Sequence, residues 1–161
     1  MDAMHAVHPF PPVWDAHCRV LVLGSFPSVR SREIGFYYGH PQNRFWRVME
    51  RLFDQSVPPD TEGRRAFMLS HGVALWDVLA ACDISGSSDA SIRHAVPNDV
   101  PALLARGCVE RVFCNGQRAY ALYLRHLDAA LGLPVRALPS TSPANAAWSL
   151  ERLTDAWRAI L

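Results

Sequence analysis

The sequence predicts an α/β fold: a three-layer α/β/α sandwich around a central four-stranded parallel sheet. Three observations carry that prediction. Four short apolar runs, 19–23 (RVLVL), 73–76 (VALW), 111–114 (RVFC) and 134–138 (PVRAL), have the length and β-branched content of buried strands. Each is followed by a segment with helical spacing, and strands alternating with helices make parallel sheets covered on both faces. Right-handed crossovers bring every post-strand loop to one edge of the sheet. The segments GSFPS, WDV, CNGQ and PSTSPAN therefore meet on a single rim.

At 161 residues the chain is expected to form one domain, 1–161. Residues 1–13, with Pro9, Pro11 and Pro12, read as an irregular arm laid across the surface. The first strand opens into residues 24–46, GSFPSVRSREIGFYYGHPQNRFW. Most connections in compact domains run to about 4–6 residues, so a loop this long and aromatic points to function. The spacing predicts a helix over 43–53 with Phe45, Val48, Met49 and Leu52 on one face, and a second starting at Thr61 with Gly72 just past its end. VALW leads into Asp77, and 82–96 reads as a second polar loop. Asn98 or Asp99 caps a helix running to Arg106. The strand 111–114 closes on Asn115-Gly116, and the helix 117–131 carries Tyr120, Leu124, Leu127 and Leu131. The last strand feeds PSTSPANA and a helix over 146–161, whose buried face holds Trp148, Leu150, Leu153, Trp157 and Leu161.

Composition removes several classes. The net charge of +1 is not that of a non-specific nucleic-acid binder. Arg30, Arg32, Arg44 and Arg47 nevertheless cluster near the long loop, and arginine suits bidentate phosphate contacts. No apolar run spans a membrane, and an N-terminus with an acid at position 2 and no basic region is not a signal peptide, so a cytoplasmic protein is expected. The four cysteines, Cys18, Cys82, Cys108 and Cys114, have no metal-ligand spacing and read as reduced thiols. The seven histidines show no HxxxH, so neither a metal nor a cofactor is expected. The GxSxG elbow of serine hydrolases is absent, as are GxGxxG and the P-loop.

The rim residues each fit two readings. Ser140, Thr141 and Ser142, with Asn145, can bind phosphates along a nucleic-acid backbone, while Ser142 or Asn145 can equally cap the last helix. Phe36, Tyr37 and Tyr38 can stack on a planar ring or pack beneath the loop; alternating neighbours are not expected all to face inward. Asn43 fits a helix cap, or an amide that holds a water or a base. Asn115 fits a turn, or an amide that reads a base edge. Asp77, Asp89 and Glu33 are the rim carboxylates.

The ordered set GSFPS, YYGHPQNRFW, ALWDV, GSSDASI, FCNG and PSTSPANA resembles the uracil-DNA glycosylase superfamily, and within it the hypoxanthine-DNA (deoxyinosine) glycosylase branch. The match covers roughly residues 19–148. HPQNRFW is also similar to the HPxNRFW segment of mismatch-specific uracil/thymine-DNA glycosylases. The resemblance implies a monofunctional glycosylase of base excision repair. It would cleave the N-glycosidic bond of a flipped deaminated base, most of all hypoxanthine, in double- or single-stranded DNA, as a monomer without metal. It puts the catalytic amide on Asn43. Ser25 and Phe26 of the first loop, with Tyr37, Tyr38 and Asn115, fall to the base. Ser140, Thr141, Ser142 and Asn145 fall to the DNA backbone. Mismatch-specific relatives have GINPG where this chain has Ser25-Phe26-Pro27, and the missing Asn weighs against strong uracil activity. Uracil or xanthine excision at the same site, and a module that binds damaged DNA without cutting, are the alternatives.

Overall fold

The predicted strands form a single parallel sheet. The computed structural model describes residues 3–127 and 132–161. Its strands in chain order are β1 (Met4–Val7), β2 (Val20–Gly24), β3 (Val73–Asp77), β4 (Leu79–Ile84), β5 (Arg93–Pro97), β6 (Arg111–Asn115) and β7 (Val135–Leu138). The helices are α1 (Val29–Ile34), α2 (Phe45–Phe53), α3 (Thr61–Ser70), α4 (Val100–Leu104), α5 (Gln117–His126) and α6 (Leu150–Trp157). The central sheet has the order β3-β2-β6-β7, every pairing parallel.

Side chains alternate across a strand, so a strand buried on both faces feeds two cores. Val20 and Val22 join Leu75, Phe113 and Leu138 beneath α2, α3 and α6. Leu21 and Leu23 join Ala74, Val112 and Cys114 against α4 and α5. Helix α2 buries Phe45, Trp46, Val48, Met49 and Leu52. Asp60 caps α3 by accepting from Gly63 N, and Asp99 caps α4 by accepting from Ala102 N.

Four expectations need correction. Two stretches read as irregular, 1–13 and 82–96, contain strands: β1, β4 and β5 form a second, antiparallel sheet in the order β1-β4-β5. Its register shifts at Ala81, and its strands mix buried and exposed positions without strict alternation, so no period of two marks them. The long loop contains α1, capped by Ser28, which accepts from Ser31 N. The last helix begins at Leu150 with Ser149 as its cap, so neither Ser142 nor Asn145 caps it. The predicted helix 117–131 is helical over Gln117–His126; Leu131 lies outside the described residues. Among the described residues no helix is long and apolar enough to cross a membrane.

Candidate active site

The chain leaves β2 for β3 on one side and reaches β6 on the other, so the carboxyl ends of β2 and β6 flank a topological switch point. Open α/β sheets bind ligands at such crevices. A cavity of about 370 Å³ opens there. Its wall is drawn from six separate stretches: Gly24–Ser28 with Ser31; Tyr37, Tyr38, His40 and Asn43; Asp77; Ser87 and Asp89; Asn115; and Ser140–Ala144.

Asn43 stands on this wall, held by a tight turn. Its N–H donates to the His40 carbonyl (2.9 Å), and its Oδ1 accepts from Phe45 N (2.9 Å). Arg44, not Asn43, is the N-cap of α2; Asn43 stands one residue before it, covers the first helical N–H from that turn and lines the cavity. The bond to Phe45 fixes the amide plane and leaves Oδ1 a second lone pair.

The serine-rich segment adjoins Asn43, tied to its turn through Arg44. Arg44 N–H donates to the Thr141 carbonyl (3.0 Å). Its guanidinium donates to the carbonyls of Asn145 (3.0 Å) and Trp148, and to that of Ser142 (3.4 Å). Asn115 locks the same segment from the end of β6: Nδ2 donates to Thr141 Oγ1 and Oδ1 accepts from Thr141 N, both at 3.0 Å. Gly116, at φ 97°, lets this happen; a Cβ there would lie 3.1 Å from Ser140 Cβ. Thr141 is fully buried, so its hydroxyl is spent inside the protein and cannot meet a DNA phosphate. Asn145 likewise turns inward, donating to the Ser140 carbonyl (3.0 Å). Ser140 and Ser142 remain at the cavity mouth.

All three aromatics of the long loop face inward, against expectation. Phe36 and Tyr37 are buried, and Tyr38 stacks on Phe45 with ring centroids 4.1 Å apart. Tyr38 sits at φ 51°, and that left-handed backbone breaks the alternation. Tyr37 donates to the Pro11 carbonyl (3.0 Å). The Tyr38 hydroxyl is buried with no hydrogen-bond partner. Burial pushes both phenols up, aided by the nearby Asp77 carboxylate.

The cavity floor is acidic. Ser25 donates to Asp89 Oδ1 (2.8 Å). Desolvation raises the Asp89 pKa and repulsion from Asp77 adds to it, while the Ser25 hydroxyl and Arg118 work the other way. Asp77 Oδ2 accepts from His8 Nε2 (2.7 Å). Both side chains are about 5% exposed or less, and His8 packs edge-on to Phe10 at 4.6 Å. Among the described residues no group of three His, Cys, Asp or Glu is placed to hold a metal.

The family model of the uracil DNA glycosylase superfamily matches residues 11–161. The chain belongs to the uracil DNA glycosylase superfamily. It is 34% identical over 155 residues to a hypoxanthine DNA glycosylase of Methanosarcina acetivorans, covering 94% of this chain and 95% of that one. It is 31% identical over 140 residues to a hypoxanthine DNA glycosylase of Methanosarcina barkeri, covering 84% and 86%. Its fold superposes on the solution NMR structure of a candidate uracil DNA glycosylase from Methanosarcina acetivorans with a TM-score of 0.80, at 29% identity over 98% of this chain and 99% of the other.

In this uracil DNA glycosylase superfamily member the structure brings Ser25, Phe26, Tyr37, Tyr38, Asn43, Asn115, Ser140 and Ser142 to one cavity. Thr141 backs it and Asn145 braces it from behind. Sequence reasoning missed His8, one histidine in a proline-rich arm with no spacing signal. His8 meets Asp77 because β1 pairs with β4 and carries the arm to the end of β3.

Proposed function

We propose that this chain is a monofunctional DNA glycosylase that hydrolyses the N-glycosidic bond of deoxyinosine, releasing hypoxanthine and leaving an abasic site. The observation that carries this reading is the Arg44–Thr141 tie, which joins the Asn43 turn to the serine-rich segment on the wall of one base-sized cavity. The names of the Methanosarcina relatives support the same substrate.

Inosine pairs weakly, so extruding it costs a few kcal/mol at most. The flipped purine enters between Phe26 and the Tyr37–Tyr38 wall, with Ser25 and Asn115 as polar neighbours. Ser140 and Ser142 take the flanking phosphates, supported by Thr141 and Asn145 from within. As C1′–N9 lengthens, Asn43 Oδ1 holds a water against C1′. A carboxamide is a weak base, so it positions the water more than it deprotonates it, and orientation supplies much of the rate. Donors around the departing purine stabilise its developing charge. The enzyme works as a monomer in the cytoplasm.

Incubation with end-labelled duplexes carrying one inosine, uracil or xanthine, followed by alkali, tests the reading. Scission at inosine is expected, and Asn43→Ala should reduce it by about 10²-fold or more, the scale of losing a positioning group. Retention of the inosine duplex on a gel without scission would identify a binder instead.

A further inference from the structure

We propose that Asp77, held in place by His8, is the residue that selects deaminated bases, by accepting a hydrogen bond from the ring N–H that deamination creates. This rests on the glycosylase reading and names how its cavity recognises the base.

The pair is built for one direction of donation. A carboxylate only accepts, so His8 Nε2 carries the proton and fixes Asp77 Oδ2 at 2.7 Å. Aromatic rings on three sides, Phe10, Phe26 and Tyr37, hold the imidazole in that pose. Asp77 lines the cavity, and no hydrogen bond to its Oδ1 is made among the described residues. That oxygen lies over Gly24, where a Cβ would fall 2.3 Å from it, so only glycine at the end of β2 leaves it room. The Tyr38 hydroxyl stands 3.6 Å from the same point. Tyr38 also lines the cavity, and its hydroxyl is buried and makes no hydrogen bond of normal length, with the Asn115 amide as its nearest polar neighbour. Buried polar groups in folded proteins are almost always paired, and an orphan donor beside a half-used acceptor points to a ligand that supplies the complement.

The complement is a lactam edge. Hydrolytic loss of the exocyclic amine turns adenine into hypoxanthine and cytosine into uracil. In both, a carbonyl replaces the amine, and the adjacent ring nitrogen, a bare acceptor before, gains a hydrogen. The new edge presents an acceptor beside a donor, which fits the Tyr38 hydroxyl beside Asp77 Oδ1. Adenine and cytosine would instead aim a lone pair at the carboxylate and an amine at the phenol. A site built to bond a substrate N–H rejects an analogue without it far more strongly than an apolar pocket rejects a small change in shape. Guanine shares the N1–H, so this contact leaves guanine to the cavity walls.

The test compares single-turnover excision of deoxyinosine with that of the deoxyriboside of unsubstituted purine, which has the same rings but neither O6 nor N1–H. Asp77→Asn is expected to slow inosine excision at least about tenfold, the scale of a hydrogen bond to a charged group, while changing purine excision less than about threefold. His8→Gln should shift the ratio in the same direction by a smaller factor. Equal losses on both substrates would overturn the proposal, because a general base or a scaffold residue acts on both alike. Should Asp77→Asn fail to fold, product inhibition of the unmodified protein decides: free hypoxanthine should inhibit at roughly tenfold lower concentration than free purine, and equal inhibition overturns the proposal. Failure of the unmodified protein to release any base from inosine DNA would sink the glycosylase reading, and base binding would still report on the edge contact.

Discussion

Asn115 and Thr141 hold each other through two 3.0 Å hydrogen bonds, one to the threonine hydroxyl and one from its backbone N–H. This reciprocal pair joins the end of β6 to the loop after β7 and makes one rigid rim of two loops. Thr141→Val, which removes only the hydroxyl bond, should cost about 1 kcal/mol; Asn115→Ala strands buried groups on Thr141 and should cost about 2–4 kcal/mol. Denaturant unfolding of the single and double variants reads the coupling, expected near 0.5–3 kcal/mol. Strict additivity would show that the bonds do not act as a pair.

Ser142 accepts from Ala144 N and keeps its own hydrogen for an outside acceptor at the cavity mouth. Ser142→Ala should therefore weaken binding of an inosine duplex about five- to tenfold, the worth of one hydrogen bond. The slope of log K against log salt should not move, because no cation is removed. The single-turnover rate at saturation should stay within about twofold of the parent. A large fall in that rate with unchanged affinity would place Ser142 in the chemistry.

Asp89 binds its proton more tightly in the folded protein than in the unfolded chain, first through desolvation and then through repulsion from Asp77. Its contribution to stability is therefore favourable at low pH and is lost as pH rises from the ordinary carboxylate range through the raised folded value. Asp89→Asn keeps an oxygen for Ser25 and removes the buried charge. The melting temperature at pH 7 should rise by roughly 2–4 °C, the shift that about 1 kcal/mol gives in a domain of this size. The gain should vanish below about pH 4, where the unfolded carboxyl also holds its proton. A gain that persists in acid would point to a cause other than charge.

The cysteines differ in reach. Cys18, Cys82 and Cys114 are buried, and burial pushes their thiols up to about 11, 11 and 12. Cys108 is exposed and donates only to backbone carbonyls. Iodoacetamide at pH 8 should add one adduct to the native protein, at Cys108, with the others reacting only after unfolding; peptide mass mapping reads this. Early labelling of Cys114 would contradict the packing around β6.

The central sheet was legible because each of its strands is a short apolar run flanked by breakers, a signal that survives without any partner. The small sheet was not: β4 is bulged, β1 is mostly exposed, and their pairing is set by tertiary contact. That Asn43 and the serine-rich segment meet at one cavity was legible from motifs placed after strands, because the topology brings those loops to one rim. Which hydroxyl faces out was not, since Thr141 differs from Ser140 and Ser142 only in which way the loop turns it. The inward set of Phe36, Tyr37 and Tyr38 depends on one positive φ at Tyr38, which a tyrosine codon does not announce.

The cavity takes residues from Gly24 to Ala144, and the last of its wall in chain order is the loop that follows β7. Without the stretch after β7, Asn43 is present but Arg44 has no loop on which to anchor it. The cavity is thereby complete only once the stretch after β7 has joined it, so its shape is a late product of folding rather than of any one local segment.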